Sequence, residues 1–191
     1  MMRPAVRRLI GGPAGAITGI GGLAGTGGSL LGLPSWMRAG ATGTLSGWFA
    51  PTATIPNLAR LFDFSNTSGT DQLECYAEPG SNRWQFIASS SNTSRAVALI
   101  NRAPQAAGVT LGFAFAWSSG RINGAIGTTL GAGAAYPQPA LPPMGLVNLY
   151  VGNRADGARP LAANFWGLEF LDVPVSDAVL LALAGRQRPA A

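Results

Sequence analysis

The chain has 191 residues and a formal charge of +5, and all 13 of its basic residues are arginine. It contains no histidine, no lysine and a single cysteine, Cys75. That excludes a Ser-His-Asp triad, a Cys-His dyad, a lysine Schiff base, a P-loop lysine, an internal disulfide and a cysteine-based zinc site. What remains open is carboxylate chemistry or binding.

The placement of the charge matters more than its size. Arg3, Arg7, Arg8, Arg186 and Arg188 lie near the ends, and residues 9–185 carry eight arginines against eight carboxylates. The body is therefore formally neutral and offers no basic face for a phosphate backbone, so no nucleic acid is expected there. The length suits one domain, at roughly 100–200 residues per domain. Charged residues make up only 11%, while 27 glycines and 14 prolines signal many turns.

Residues 9–37 are uncharged, and ten of the 22 residues from 11 to 32 are glycine. A membrane-crossing helix is disfavoured by the glycine content and by Pro13. A free linker is the plain alternative. The preferred expectation is an extended arm over residues 1–41 that docks on neighbouring subunits. Ile17, Ile20, Leu23, Leu30 and Leu31 would be its apolar anchors, and Arg3, Arg7 and Arg8 its acid-seeking end. No membrane partner is expected.

From Thr42 onward the pattern has period two. Val109-Thr-Leu111-Gly-Phe113-Ala-Phe115-Ala-Trp117 alternates large with small, as in a strand buried on one side and closely covered on the other. Further strands are expected at Thr44–Ala50, Ala59–Ser65, Asp71–Ala77, Arg83–Ala88, Arg95–Ile100, Gly120–Thr128, Leu146–Gly152 and Asn164–Asp172. Turn-forming residues separate them, as in Pro79-Gly80-Ser81-Asn82 and Ser89–Thr93. Trp84, Phe86, Val109, Phe113, Phe115, Trp117, Trp166 and Phe170 fall on apolar phases and are assigned to the core, with Cys75 as a buried thiol. Tyr136–Pro143 is a proline-rich loop. One helix is expected near the end, capped by Ser176, with Asp177 in its first turn and Gly185 closing it. The expected architecture is all-β: an antiparallel β-sandwich jelly roll over residues 42–185 with one short C-terminal helix, followed by a basic tail at 186–191.

The order of these signals resembles the laminin-G-like, concanavalin-A-like jelly-roll family. The resemblance spans about residues 42–184. It rests on Ser46-Gly47-Trp48-Phe49, Arg60-Leu61-Phe62-Asp63-Phe64, Phe115-Ala116-Trp117 followed by Asn123-Gly124, Val151-Gly152-Asn153-Arg154, and Phe165–Phe170 followed by Pro174-Val-Ser176-Asp177. It implies glycan or protein binding, and in some members glycoside cleavage. Such domains are common in bacteriophage tail and capsid accessory proteins. Related glycanases carry a Glu-x-Asp-x-Glu strand, but Glu74-Cys75-Tyr76-Ala77-Glu78 has tyrosine in the middle position, so no catalytic residue is assigned. A glycan face would use Glu74, Tyr76, Asn148 and Tyr150. Asp63, Asn66, Asp71 and Asp156 lie near loops where family members sometimes hold calcium, but no Asp-rich loop is present. No cofactor is assigned.

Three functional readings follow. The first is a non-enzymatic structural component of a symmetric homo-oligomeric assembly, a phage virion in particular, assembled in the host cytoplasm as a decoration or tail accessory protein. Its partners would be copies of itself and neighbouring virion proteins. The alternative is a carbohydrate-binding host-recognition module. A glycoside hydrolase is the third.

Overall fold

The computed structural model describes residues 6–8, 28–30, 42–135, 146–154, 156–171 and 173–188, the first two segments by backbone alone. Two antiparallel sheets face one another. Sheet A runs β1 (Val6–Arg8), β13 (Ala163–Leu171), β3 (Gly43–Pro51), β8 (Leu111–Trp117), β9 (Arg121–Ile126) and β10 (Thr129–Leu130), with β11 (Ala134–Ala135) also paired to β9. Sheet B runs β2 (Gly28–Leu30), β12 (Asn148–Val151), β4 (Arg60–Ser65), β5 (Gln72–Glu78), β6 (Arg83–Ser90) and β7 (Thr93–Ile100). The fold is an all-β jelly-roll sandwich with one short helix, α1 (Asp177–Ala184).

Each strand expected from the periodicity forms, with ends shifted by a residue or two. The turn between β6 and β7 places Ser91 and Asn92 at φ of 52° and 60°. Two successive left-handed residues match the right-handed twist of the flanking strands, and asparagine tolerates that conformation better than most side chains.

The inward faces interdigitate as a mostly aromatic core. Phe115 meets Phe62 and Phe86, each at 5.0 Å between ring centroids, while Phe49 packs edge-on to Trp84 at 5.6 Å. Phe64 packs edge-on to Trp117 at 5.9 Å. Such pairs contribute roughly 0.5–1.5 kcal/mol beyond the area they bury. Cys75 is fully buried among them, and burial pushes its thiol pKa well up, so it behaves as a small apolar side chain.

The outward face of β8 is built from small residues because α1 lies directly on it. Leu180 and Ala184 pack against Ala114, Ala116 and Ala125. A side chain at Gly112 would strike the Ala184 carbonyl, so only glycine fits there. The large–small alternation read from the sequence thus separates the inter-sheet core from the helix seat.

Two core assignments need correction. Val109 is 42% exposed, because it closes the turn at Ala107-Gly108, its amide donating to the Ala106 carbonyl, and lies before β8. Trp166 is half-buried on the outer side of sheet A. A bulge between Trp166 and Glu169, with Gly167 at φ +54°, reverses the side-chain phase within β13, so Phe170 points inward and Trp166 does not. The helix entry also differs in detail. Ser176 takes the extended conformation of a cap, but its side chain makes no capping bond. Instead the Thr44 hydroxyl donates to the Val173 carbonyl at 2.8 Å and accepts from the Val175 amide at 3.2 Å, fixing the approach.

Asp177 locks the helix start to β9. Arg121 donates to both of its carboxylate oxygens, at 2.9 and 2.7 Å, and Asn123 donates to one at 2.9 Å. The Arg121 and Asn123 hydrogen bonds hold the Asp177 pKa below the usual carboxylate range, outweighing the opposing effect of burial.

Gly112→Ala is expected to lower stability by about 1–3 kcal/mol in urea denaturation while leaving the far-ultraviolet circular dichroism unchanged. Asp177→Asn should cost about 1 kcal/mol at neutral pH, in line with a half-exposed ion pair at a helix start. Because the folded pKa of Asp177 is depressed, its contribution is complete above the unfolded value near ~3.9. It is lost as pH falls through the folded value. The melting temperatures of variant and wild type should therefore converge as the pH falls below the folded value, and a gap of undiminished size in strong acid would refute this account.

Candidate functional site

Sheet B brings the four residues of the expected glycan face onto one surface. Tyr150 on β12 lies opposite Asp63 on β4, which lies opposite Glu74 on β5. Asn148 and Tyr76 stand on the same side, two residues from Tyr150 and Glu74 along their strands. Tyr76, Asn148 and Tyr150 are half-buried, whereas Glu74 is buried.

This face is not the freely solvated surface that the alternation suggests. Arg60 reaches from β4 to within 2.9 Å of the Glu74 carboxylate, with both side chains about nine-tenths buried. The contact is a charge pair rather than a straight hydrogen bond. The same guanidinium stacks over the Tyr76 ring at 4.4 Å and donates to the Leu58 carbonyl at 3.2 Å. Tyr76 in turn donates its hydroxyl to Gln85 at 3.1 Å. Burial, then the charges of Glu74 and Glu78, raise the Tyr76 pKa, and burial and Asp63 raise that of Tyr150. Both phenols therefore remain protonated hydrogen-bond donors at neutral pH.

The paired-carboxylate reading finds no machinery here. Glu74 is tied to Arg60, and Glu78 accepts from Arg83 at 2.6 Å. Hydrogen bonding from Gln85 and then from Arg83 lowers the Glu78 pKa, the opposite of what a general acid needs. The oxygens considered for calcium are engaged locally. The Asn66 side-chain carbonyl accepts from the amides of Thr70 and Asp71, Asp71 accepts from the Ser91 amide at 2.9 Å, and Asp156 faces Arg154 at 3.7 Å. No group of three or more acidic, histidine or cysteine residues placed to hold a metal occurs among the described residues.

Of the expected arm, Arg3, Ile17, Ile20, Leu23 and Leu31 lie outside the described residues, as does the segment Tyr136–Pro143 expected to form a loop. Arg7 and Arg8 fall in β1 and Leu30 in β2. These short strands pair with β13 and β12 of the same chain, one on the edge of each sheet, with Arg7 opposite Phe170 and Ser29 opposite Tyr150.

A second concavity was not legible in the sequence. A groove of about 340 Å³ opens on the outer side of sheet A, beside the C-terminal end of α1. It is lined by Trp48, Arg102, Gly112, Gly127, Arg186 and Arg188, among others. Arg186 stacks on Trp48 at 4.9 Å, donates to Glu169 at 3.1 Å and donates to the Leu183 carbonyl at 3.1 Å. Trp48 donates its indole N–H to the Arg186 carbonyl at 3.0 Å. Arg188 stacks on Trp166 at 4.6 Å. The described part of the basic C-terminal segment is thus folded back on sheet A.

No family model matches the chain, and no curated protein sequence matches it. Solved structures do share its fold. The CBM40 of a Ruminococcus gnavus IT-sialidase superposes with a TM-score of 0.60 at 15% identity, covering 78% of this chain and 86% of that one. Domain 4 of AbnA, an extracellular arabinanase of Geobacillus stearothermophilus solved in complex with arabinotriose, gives 0.59 at 14% identity, covering 80% and 70%. The LG1-3 region of the laminin alpha2 chain gives 0.59 at 10% identity, covering 80% and 30%. These likenesses identify the fold as a jelly-roll sandwich of the concanavalin-A-like type. At such identities they establish the fold alone, and they lend no support to a phage or virion role.

Arg60→Met should leave Glu74 buried without its cation and cost about 3 kcal/mol. Adding Glu74→Leu should restore most of that loss. Urea denaturation of the two variants checks this, and a double variant no more stable than the single one would refute the pairing.

Proposed function

We propose that the chain is a non-enzymatic glycan-binding module that uses the outer face of sheet B. The observation that carries this reading is the contiguous row Tyr150–Asp63–Glu74, with Tyr76 and Asn148 beside it, on a sandwich shared with a CBM40 and with an arabinotriose-bound arabinanase domain. Tyrosine rings offer an apolar surface for the C–H face of a sugar, and phenol and amide groups supply directed hydrogen bonds, while the buried Asp63 and Glu74 lie beneath them. The Arg60–Glu74 pair and the Arg60–Tyr76 stack hold these groups in place before any ligand arrives, which limits the entropy lost on binding. Consumption of both glutamates in ion pairs supports binding rather than cleavage.

Glycan-array screening of the full chain should give specific hits. Tyr76→Ala and Tyr150→Ala should each weaken the best hit by tenfold or more at a temperature where both variants remain folded by circular dichroism. Hits that survive both substitutions would move the site elsewhere, and an array without hits would overturn the module reading.

A further inference from the structure

We infer that the groove beside the end of α1 is a second binding site, selective for an acidic saccharide carrying a carboxylate or sulfate group. The inference rests on the module reading for its ligand class and adds a separate site with a different chemistry.

Charge provides the first argument. Several arginines outside the groove face a carboxylate: Arg60 faces Glu74, Arg83 faces Glu78 and Arg121 faces Asp177. Three arginines line the groove, and no carboxylate does; Glu169, outside the lining, binds Arg186. Among the described residues neither Arg102 nor Arg188 has a carboxylate partner. The groove is therefore a local excess of about two positive charges on a formally neutral body.

Preorganisation provides the second. Arg186 and Arg188 each hold the guanidinium over an indole, a contact that restrains the side chain without using its N–H donors. Arg188 makes no hydrogen bond among the described residues. Arg102 makes one long contact, to the Thr129 hydroxyl at 3.4 Å, and its Nε is buried without a partner. A planar carboxylate or a sulfate would satisfy these fixed donors.

Shape provides the third. Gly112 and Gly127 leave part of the wall without side chains, and a Cβ at Gly127 would come within 3.3 Å of the Arg102 guanidinium carbon. The volume of about 340 Å³ lies at the small end for ligand sites, enough for one or two sugar rings. A polynucleotide would need an extended basic stripe, and the neutral body does not provide one.

The test is calorimetric titration of the full chain with trigalacturonate, its methyl ester, a sulfated disaccharide, inorganic sulfate and a short single-stranded oligonucleotide. At least one acidic sugar should bind, with affinity falling as salt rises. Esterification should weaken trigalacturonate binding at least tenfold where that is the sugar bound. Arg102→Gln and Arg188→Gln should each weaken acidic-sugar binding at least tenfold, with unchanged melting temperature. The site is overturned if both variants bind as wild type does, if neither acidic sugar binds, if inorganic sulfate binds as tightly as the sugar, or if the oligonucleotide binds more tightly. Binding of the array-selected glycan at the Tyr76/Tyr150 face, measured in the same Arg variants, separates the two readings. Retention there with no acidic-sugar binding sinks only the groove, whereas loss of all glycan binding by the wild type sinks both.

Discussion

Strand β8 has to serve two surfaces that make opposite demands. Towards sheet B it must fill the space between the sheets, and Phe113, Phe115 and Trp117 do so with rings that interlock with Phe49, Phe62 and Phe64. Towards the outside it must admit a helix at backbone distance, which requires Gly112, Ala114 and Ala116. Because side chains alternate along a strand, a shift of one residue would put rings under the helix and alanines in the core. The register of sheet A, the seat of α1 and the position of the groove at the end of that helix all follow from this alternation.

The same physics explains what could be read from the sequence. Strand existence was legible because period-two patterning reports burial directly, and the helix because Asp177, the apolar positions and Gly185 lie close together in sequence. Trp166 was misplaced because the reading assumed unbroken alternation, and the bulge at Gly167 inverts it. Val109 was misplaced because its apolar character matched the strand although it still closes the turn that Gly108 shapes. Glu74 and Tyr76 were correctly placed on one face. The partner that orders them, Arg60, sits fourteen residues earlier on the neighbouring strand, and pairing at that range leaves no local signature. The groove was invisible for the same reason: its arginines come from the segment after β7 and the segment after α1, and they meet only in the folded chain.

Arginine is the one cation available, and the body uses it in two ways. Where a carboxylate is within reach, the guanidinium forms an ion pair that orders a surface, as Arg60 does beneath the glycan face and Arg121 at the helix start. Where none is, the guanidinium is laid against an indole and keeps donors unspent. Lysine could not replace it in the second role, because its ammonium lacks both the flat face and the fork of N–H groups. In a chain with so few charges, this division separates ordering sites from sites able to receive an anion.

The pairing of β1 with β13 has a bearing on how the chain is made. Val6 lies opposite Leu171, so the two ends of this ladder are separated by almost the whole sequence. On a ribosome β1 is among the first parts of the sandwich to emerge, and the strand it pairs with is the last. Until then β13 cannot join β3, and sheet A presents an open edge throughout translation. Contacts of such long range close slowly, and an unpaired edge invites pairing with another chain. The low charge of the body gives little repulsion to prevent that, so the yield of folded protein should depend on synthesis rate and on concentration more than on final stability.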